Sequence, residues 1–532
     1  MGRFVLRKIL AYGVVLALGS AAWAAGTSGS GELSQLETAA LKSCEGIVRL
    51  FEGSADRVWP GYDLSRRPFL IYVPAKWALL VNPPEGAREF GPLPAGWPPL
   101  PFKAGFFAGQ YRDLVGQLAF DFDIDGTKVV AIGLIEGQFP GPDSGLPSLF
   151  GFIVHEAFHQ YQSEAFDEIP WEREERYPVL DSENSALAAL EMRILSDAVQ
   201  ASLAGRRPEA EGLIREYVAV RTQRWEHAPA FVARYEQGQE VREGTAAYVE
   251  KKSLALAREL EFKSALDGLV GSLHRALEPL TLAELFRQDF EGRTTEGAVS
   301  PQDMIRNRIY PVGSALGFLA DLWGSDWKEE LAGHTETFTF HGWLGDKQGL
   351  KAEDLPVLLR KAEADYDYPA ILQSASRLIA GYRSGFETDL AAFEAQPGTR
   401  VEVGFRYRSI SRSRSSQGRS WVVDDGGRTL MTRARVYSLK MGGFVLQVKE
   451  SPVLEGNDWD AKDKRVAVFT PEPPVVGLDG TRWPIGPGPD SLPFSRIELT
   501  ASNLELKAEL PGILRVENGR LSIEFEGADL PN

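Results

Sequence analysis

The sequence predicts an α+β protein, with a mostly helical domain that begins on a mixed sheet, followed by a β-sandwich-like C-terminal domain. Three observations predict it. Between residues 60 and 140, short apolar runs are separated by Pro and Gly. From residue 145 to 398, apolar residues recur at helical spacing. After Gln396-Pro397-Gly398, apolar and polar residues alternate with period two. The expected division is residues 1–24, 25–398 and 399–532.

The 532 residues suffice for two or three domains. A formal net charge of -16 argues against nucleic acid or an anionic membrane surface as main partner. The N-terminus reads as a cleavable secretory signal. Arg3, Arg7 and Lys8 precede the apolar stretch Ile9 to Ala22, and Ala22-Trp23-Ala24 places the cut after Ala24. An uncleaved membrane anchor is the alternative. The expected location is therefore secreted or periplasmic, with no stable membrane insertion after cleavage. The single cysteine, Cys44, cannot form an internal disulfide.

Residues 26–33 form a Gly/Ser-rich leader. A helix is expected from Ser34 to Phe51, with Ser34 as N-cap and Glu37 as its capping-box partner. Pro68 to Val73 and Trp77 to Val81 read as strands, and residues 82–103 as a Pro/Gly-rich loop. Ala119 to Ile135 contains Asp121, Asp123 and Asp125 before Gly126, which opens like a calcium loop. The twelfth position of such a loop needs a bidentate Glu and holds Ile132. The alternation of its flanks and the Asp-Gly pair instead predict a β-hairpin without an ion. Pro140-Gly141-Pro142 then breaks the chain before a helix. Further helices are expected at 182–204, 208–234 with a break near Pro229, 235–260, 264–277, 281–290, 311–323, 353–365 and 370–395. Residues 167–176 read as a charged loop. Strands fill 401–408, 420–432, 436–448 and parts of 465–532. Arg406, Arg408, Arg412, Arg414 and Arg419 form a basic stretch there, either a solvated face or a patch for an anionic partner.

The stretch with specific chemistry is Leu149 to Tyr161, which contains His155-Glu156-Ala157-Phe158-His159. Residues four apart lie one turn above each other on a helix. His155 and His159 can therefore aim one imidazole nitrogen each at a single Zn2+, and Glu156 is placed to act as general base. Only 6 histidines occur in the chain, so this spacing is informative. His227, His274, His334 and His341 lack metal-ligand spacing. A third ligand comes from Glu243 in Arg242 to Glu250, where Gly244, Ala246 and Ala247 permit close helix packing, or from Glu183, 24 positions after His159 (183 minus 159). The unused glutamate could hold a ligand histidine. Glu236 and Glu240, on the Glu243 face, are further such residues or solvated charges.

HExxH followed by this EGTAAY helix resembles the gluzincin metallopeptidases. The resemblance covers two motifs and the helices around them. It implies a zincin-like domain, Zn2+ on His155, His159 and Glu243, and hydrolysis of a peptide or protein substrate. It further implies that Tyr310, in Tyr310-Pro311-Val312-Gly313, donates to the developing oxyanion as in the YxxG motif of the aminopeptidase-like members; a core or capping tyrosine is the other reading. The gap from His159 to Glu243 exceeds that of the thermolysin-like and aminopeptidase-like enzymes, and GxMEN is absent, so an aminopeptidase is not expected. The spacing to Glu183 is similar to that of the angiotensin-converting-enzyme type. A zincin-fold binding or assembly protein without peptidase activity is the alternative. Substrate preference and oligomeric state are not encoded in these motifs.

Overall fold

The computed structural model describes residues 33–112, 114, 119–134, 142–260, 263–264, 266–267, 273–291, 293–294, 297–408, 410–423, 427–484, 491–517 and 519–525. The signal segment 1–24 lies outside the described residues, as do the Gly/Ser-rich leader up to 32, Pro140-Gly141 and Asp425-Gly426. The protein is mixed α/β. Its contacts divide it into two compact units: one of residues up to Glu172, Leu190–Thr294 and Arg306–Tyr366, the other of Arg173–Ala189, Thr295–Ile305 and residues from Asp367 onward.

In the first unit, β1 (Phe69–Val73), β2 (Trp77–Val81), β3 (Ala104–Ala108), β4 (Ala119–Ile124) and β5 (Thr127–Gly133) form one sheet, ordered β3-β2-β1-β5-β4. It is mixed: β1 runs parallel to β5 and antiparallel to β2. The unbroken apolar runs of β1 and β2 follow from burial on both faces. The β4–β5 hairpin turns at Asp125 and Gly126, with φ of 51° and 80°, the paired positive values that a two-residue turn of type I′ needs. Asp123 Oδ1 accepts the Gly126 N–H at 2.6 Å, so one aspartate of the calcium-like motif serves the turn. Ile132 lies in β5, paired with Ala119 and fully buried.

Helix α1 (Gln35–Val58) carries the capping box: Glu37 N–H donates to Ser34 Oγ at 3.2 Å and Ser34 N–H to Glu37 Oε2 at 2.6 Å. It runs past Phe51 to Val58. Helix α2 (Pro142–Ala165) buries Leu146, Leu149, Phe150, Ile153, Val154, Ala157 and Phe158. Each such Leu, Phe, Ile or Val side chain contributes about 1.5–3 kcal/mol, so α2 is anchored by its apolar residues and can carry buried polar groups. Then come α3 (Ser182–Leu203), α4 (Arg207–His227), α5 (Ala230–Gln239), a π-helical turn Glu240–Gly244 and α6 (Thr245–Arg258). The expected break falls at Ala228-Pro229, and the next helix starts at Ala230 rather than Tyr235 because Pro229 fits just ahead of a first turn. The further helices among the described residues of this unit are α7 (Leu273–Leu277), α8 (Leu282–Glu291), α9 (Ile309–Ala320), α10 (Asp326–Gly333), α11 (Phe340–Lys347) and α12 (Leu355–Asp365). No helix among the described residues is long and apolar enough to cross a membrane.

The second unit contains α13 (Tyr368–Glu394) and the later strands. The sequence puts the domain boundary at Gly398, but α13 groups with the strands. Tyr382, Phe386 and Phe393 share a core with Trp421, Val423, Leu430, Ala467 and Phe469. The strands are β6 (Thr399–Arg406), β7 (Ser411–Ser416), β8 (Ser420–Val423), β9 (Arg428–Met441), β10 (Phe444–Asp458), β11 (Asp463–Thr470), β12 (Val475–Leu478), β13 (Thr481–Trp483), β14 (Leu492–Phe494), β15 (Ile497–Thr500), β16 (Leu504–Ala508), β17 (Gly512–Glu517) and β18 (Arg520–Phe525). In place of two separate sheets, hydrogen bonding is continuous. One edge of β10 pairs with β16 over Phe444–Val448 and, after a bulge near Ser451, with β11 over Leu454–Asp458. The long β9–β10 hairpin thus passes from one wing of a curled sheet to the other, and both wings supply one core. Of the basic stretch, Arg412 pairs with Glu175 at 3.0 Å and Arg419 with Asp389 at 2.7 Å, Arg414 lies 4.0 Å from Glu455, and Arg406 and Arg408 are exposed.

Candidate metal centre

Helix α2 puts His155 and His159 one turn apart, ring centroids 5.0 Å apart, and both are buried. Their tautomers follow from their neighbours. The Gln162 amide donates from Nε2 to the carbonyls of Val241 at 3.0 Å and Arg242 at 2.8 Å, so its Oε1 faces His159 Nδ1 at 2.8 Å. An amide oxygen only accepts, so Nδ1 carries the proton and Nε2 keeps its lone pair. His155 Nδ1 lies 3.1 Å from Glu250 Oε2. Burial pushes the Glu250 carboxyl up, but the hydrogen bond with His155, with the charge of Lys251, offsets this and holds it below its ordinary value. An ionised Glu250 accepts from Nδ1, leaving Nε2 of His155 as a donor to a metal as well. Glu250 reaches this position because residue 151 is glycine: a Cβ there would stand 2.9 Å from Glu250 Oε1.

Glu243 sits in the π-helical turn, where one extra residue per turn redirects the side chains relative to a regular helix. Its Oε2 is 3.2 Å from Nε2 of His159 and 3.6 Å from Nε2 of His155. Among the described residues, no hydrogen bond reaches the buried Nε2 of His159. Two imidazole lone pairs and a carboxylate oxygen repel one another unless a proton or a cation lies among them. Tetrahedral Zn2+ with bonds of about 2.0–2.2 Å spaces its ligands about 3.3–3.6 Å apart. The observed separations match, and two neutral imidazoles with one carboxylate suit this ion.

Glu156 is also close: it, His155 and His159 each offer a ligand atom within 4.8 Å of the others. It differs from Glu243 in directly following His155 along α2. Burial pushes the Glu156 carboxyl up to about 7; the charges of Asp121 and Glu250 add to this, and those of His155 and Arg242 oppose it. Burial likewise takes Glu243 up to about 7, against the charge of Arg306. Burial first, then the charges of His155 and Arg242, holds His159 well below its ordinary range. Tyr310 lies in the first turn of α9 with its ring centroid 5.9 Å from that of His155. Burial keeps its phenol protonated, far above the usual titration.

The structure thus brings together His155, Glu156, His159, Glu243 and Tyr310. Glu183 belongs to the second unit: it stands in the first turn of α3, exposed, its N–H donating to Asp181 Oδ1. Glu236 and Glu240 are neither solvated nor in contact with the histidines; both are buried and paired with arginines. Burial near a cluster of guanidiniums, invisible in a linear pattern, accounts for this. Gln162 and Glu250, the partners of the two histidines, carry no motif in the sequence. Their signals were helical spacing, three after His159 and seven after Glu243. His341 packs on Trp225 with ring centroids 4.7 Å apart, and His227 bonds the Gln223 carbonyl within α4.

Comparison of this chain with protein-family models, with curated proteins and with solved structures finds no match.

Proposed function

We propose that this chain is a zinc-dependent metallopeptidase of gluzincin type, with a zincin-like first unit, exported by its N-terminal signal. The observation that carries the reading is the approach of Glu243 Oε2 to both Nε2 atoms, 3.2 and 3.6 Å away. His155, His159 and Glu243 would hold Zn2+, which when bound polarises a carbonyl and lowers the pKa of water to about 7. Gln162 and Glu250 keep the two imidazoles in the tautomer that presents Nε2. Glu156 takes the proton of the attacking water and passes it to the leaving amine. Tyr310, kept neutral by burial, donates to the developing oxyanion. Apolar packing around α2 excludes bulk water, which strengthens each of these interactions.

Zinc stoichiometry together with cleavage of a mixed-peptide library tests the reading. The expected result is one zinc per chain and cleavage abolished by a chelator. A full zinc site with no peptide cleaved overturns the peptidase and leaves the binding or assembly protein.

A further inference from the structure

The stretches of chain around Glu243 and around Tyr310 meet at two places that flank these residues, among other contacts. At the first, Glu236, seven residues before Glu243, pairs with Arg308, two residues before Tyr310; both are fully buried. Arg224 braces Glu236 from α4, with Nη1 donating to Oε1 at 2.8 Å, and ties it to Glu191 at 2.7 Å. At the second point, Gly244 and Gly313 meet backbone to backbone. A Cβ on Gly313 would stand 2.4 Å from Gly244 Cα and 3.3 Å from the Glu240 carbonyl oxygen. Gly244 is the residue after Glu243, and Gly313 is three after Tyr310, on the same face of α9.

We propose that the Glu236–Arg308 pair and the Gly244–Gly313 contact act as a two-point clamp that sets where the Tyr310 hydroxyl stands relative to the His155, His159 and Glu243 donor set. Glu236, Arg308, Gly244 and Gly313 are positioning residues; none touches the donor atoms. The clamp explains why a buried pair of full charges lies here, where apolar packing would hold two helices together more simply. An ion pair with a planar guanidinium fixes direction as well as distance, and a glycine pair fixes the closest approach. The part of the proposal that concerns Tyr310 in turnover rests on the peptidase reading; the geometric part does not.

The test uses the full chain loaded with Co2+ for spectra and Zn2+ for kinetics. Gly313→Ala forces the two backbones apart without removing a charge. It is expected to keep the wild-type circular dichroism and one metal per chain, shift the cobalt d–d absorption, and lower kcat roughly 10–100-fold with little change in KM. In a Tyr310→Phe background it should lower kcat no further, because it acts through that hydroxyl. Arg308→Lys, which keeps the charge and loses the fork, should show the same pattern more weakly, so the proposal does not depend on whether Glu236→Gln folds. Wild-type kcat and an unshifted cobalt spectrum in Gly313→Ala overturn the clamp, as does a kcat loss of equal size in the Tyr310→Phe background. If wild type cleaves no peptide, the peptidase reading fails on its own, and a shifted cobalt spectrum in Gly313→Ala still supports the clamp.

Discussion

Glu243 Oε2 stands 3.2 Å from Nε2 of His159, and both residues are buried. His159 is locked by Gln162, and Glu243 is held by a π-helical turn. That relationship makes the ligand assignment testable residue by residue. His155→Ala, His159→Ala and Glu243→Ala should each leave far less than one zinc per chain by metal analysis. Glu183→Ala should retain the full complement. If Glu183→Ala loses zinc and Glu243→Ala keeps it, the ligand set is wrong.

Gln162→Leu should weaken zinc binding without abolishing it. The substitution removes the acceptor that holds the proton on Nδ1 of His159 and frees the other tautomer. Partners of this kind typically contribute 10–100-fold in metal affinity, readable by competition with a chromophoric chelator. Unchanged affinity would mean that the ring orientation is set by packing alone.

The parts of the site that were legible in the sequence are those written in local spacing. Two histidines four apart and a glutamate before small residues are visible in the chain itself. The histidine partners are not, because each depends on a long-range fit. Glu250 reaches His155 past Gly151, and Gln162 bridges from α2 to the carbonyls of Val241 and Arg242. The fold divides in the same way. Alternation marked the hairpin at Asp125-Gly126 and most of the later strands. It could not reveal that β10 changes partners at Ser451, since pairing on an edge leaves no periodic trace. β3 is not legible in the sequence because Ala-Gly-Phe-Phe-Ala follows a Pro-rich loop and has no β-branched residue. Helices α10 and α11 span only 8 residues each, too short for a periodic pattern.

The hairpin at Asp125-Gly126 should be indifferent to calcium. Asp123 is engaged by the turn through the Gly126 N–H. Millimolar Ca2+ should leave the thermal midpoint of unfolding where it was. Gly126→Ala should cost about 1 kcal/mol, because φ is 80° there and alanine resists that conformation. A calcium-dependent rise in midpoint that vanishes in Asp123→Ala would restore the calcium-loop reading.

In the second unit, Glu455 should make stability fall in acid. Burial pushes its carboxyl up, but Lys464, Arg412 and Arg414 together win and hold it at about 2, against an ordinary value of 4.5. A carboxyl titrating lower in the folded than in the unfolded state stabilises above the unfolded value, and that contribution is lost as pH falls from 4.5 toward 2. At ~1.4 kcal/mol per pH unit of separation, the loss is at most roughly 3.5 kcal/mol. Burial also lowers Lys464, so the pair as a whole contributes less than the carboxyl alone suggests. Urea midpoints between pH 2 and 6 should fall less steeply in Glu455→Gln than in wild type, whatever the offset at neutral pH. Parallel curves would show that this carboxyl does not titrate in that window.

The decisive substitution for the chemistry is Glu156→Gln. Glu156 directly follows His155 on α2, so its side chain leaves the helix about 100° further round. It lies among His155 and His159 without being the carboxylate that meets both Nε2 atoms. If its task is proton transfer, the amide should keep zinc content, fold and substrate binding, since it is nearly isosteric with the carboxylate. Hydrolysis should fall by ~10²–10⁴-fold, the usual contribution of a general base. A loss of zinc instead would make Glu156 a ligand and reopen the part played by Glu243. Cleavage as fast as wild type with the metal retained would remove Glu156 from the mechanism, because no other carboxylate directly follows a ligand histidine on α2.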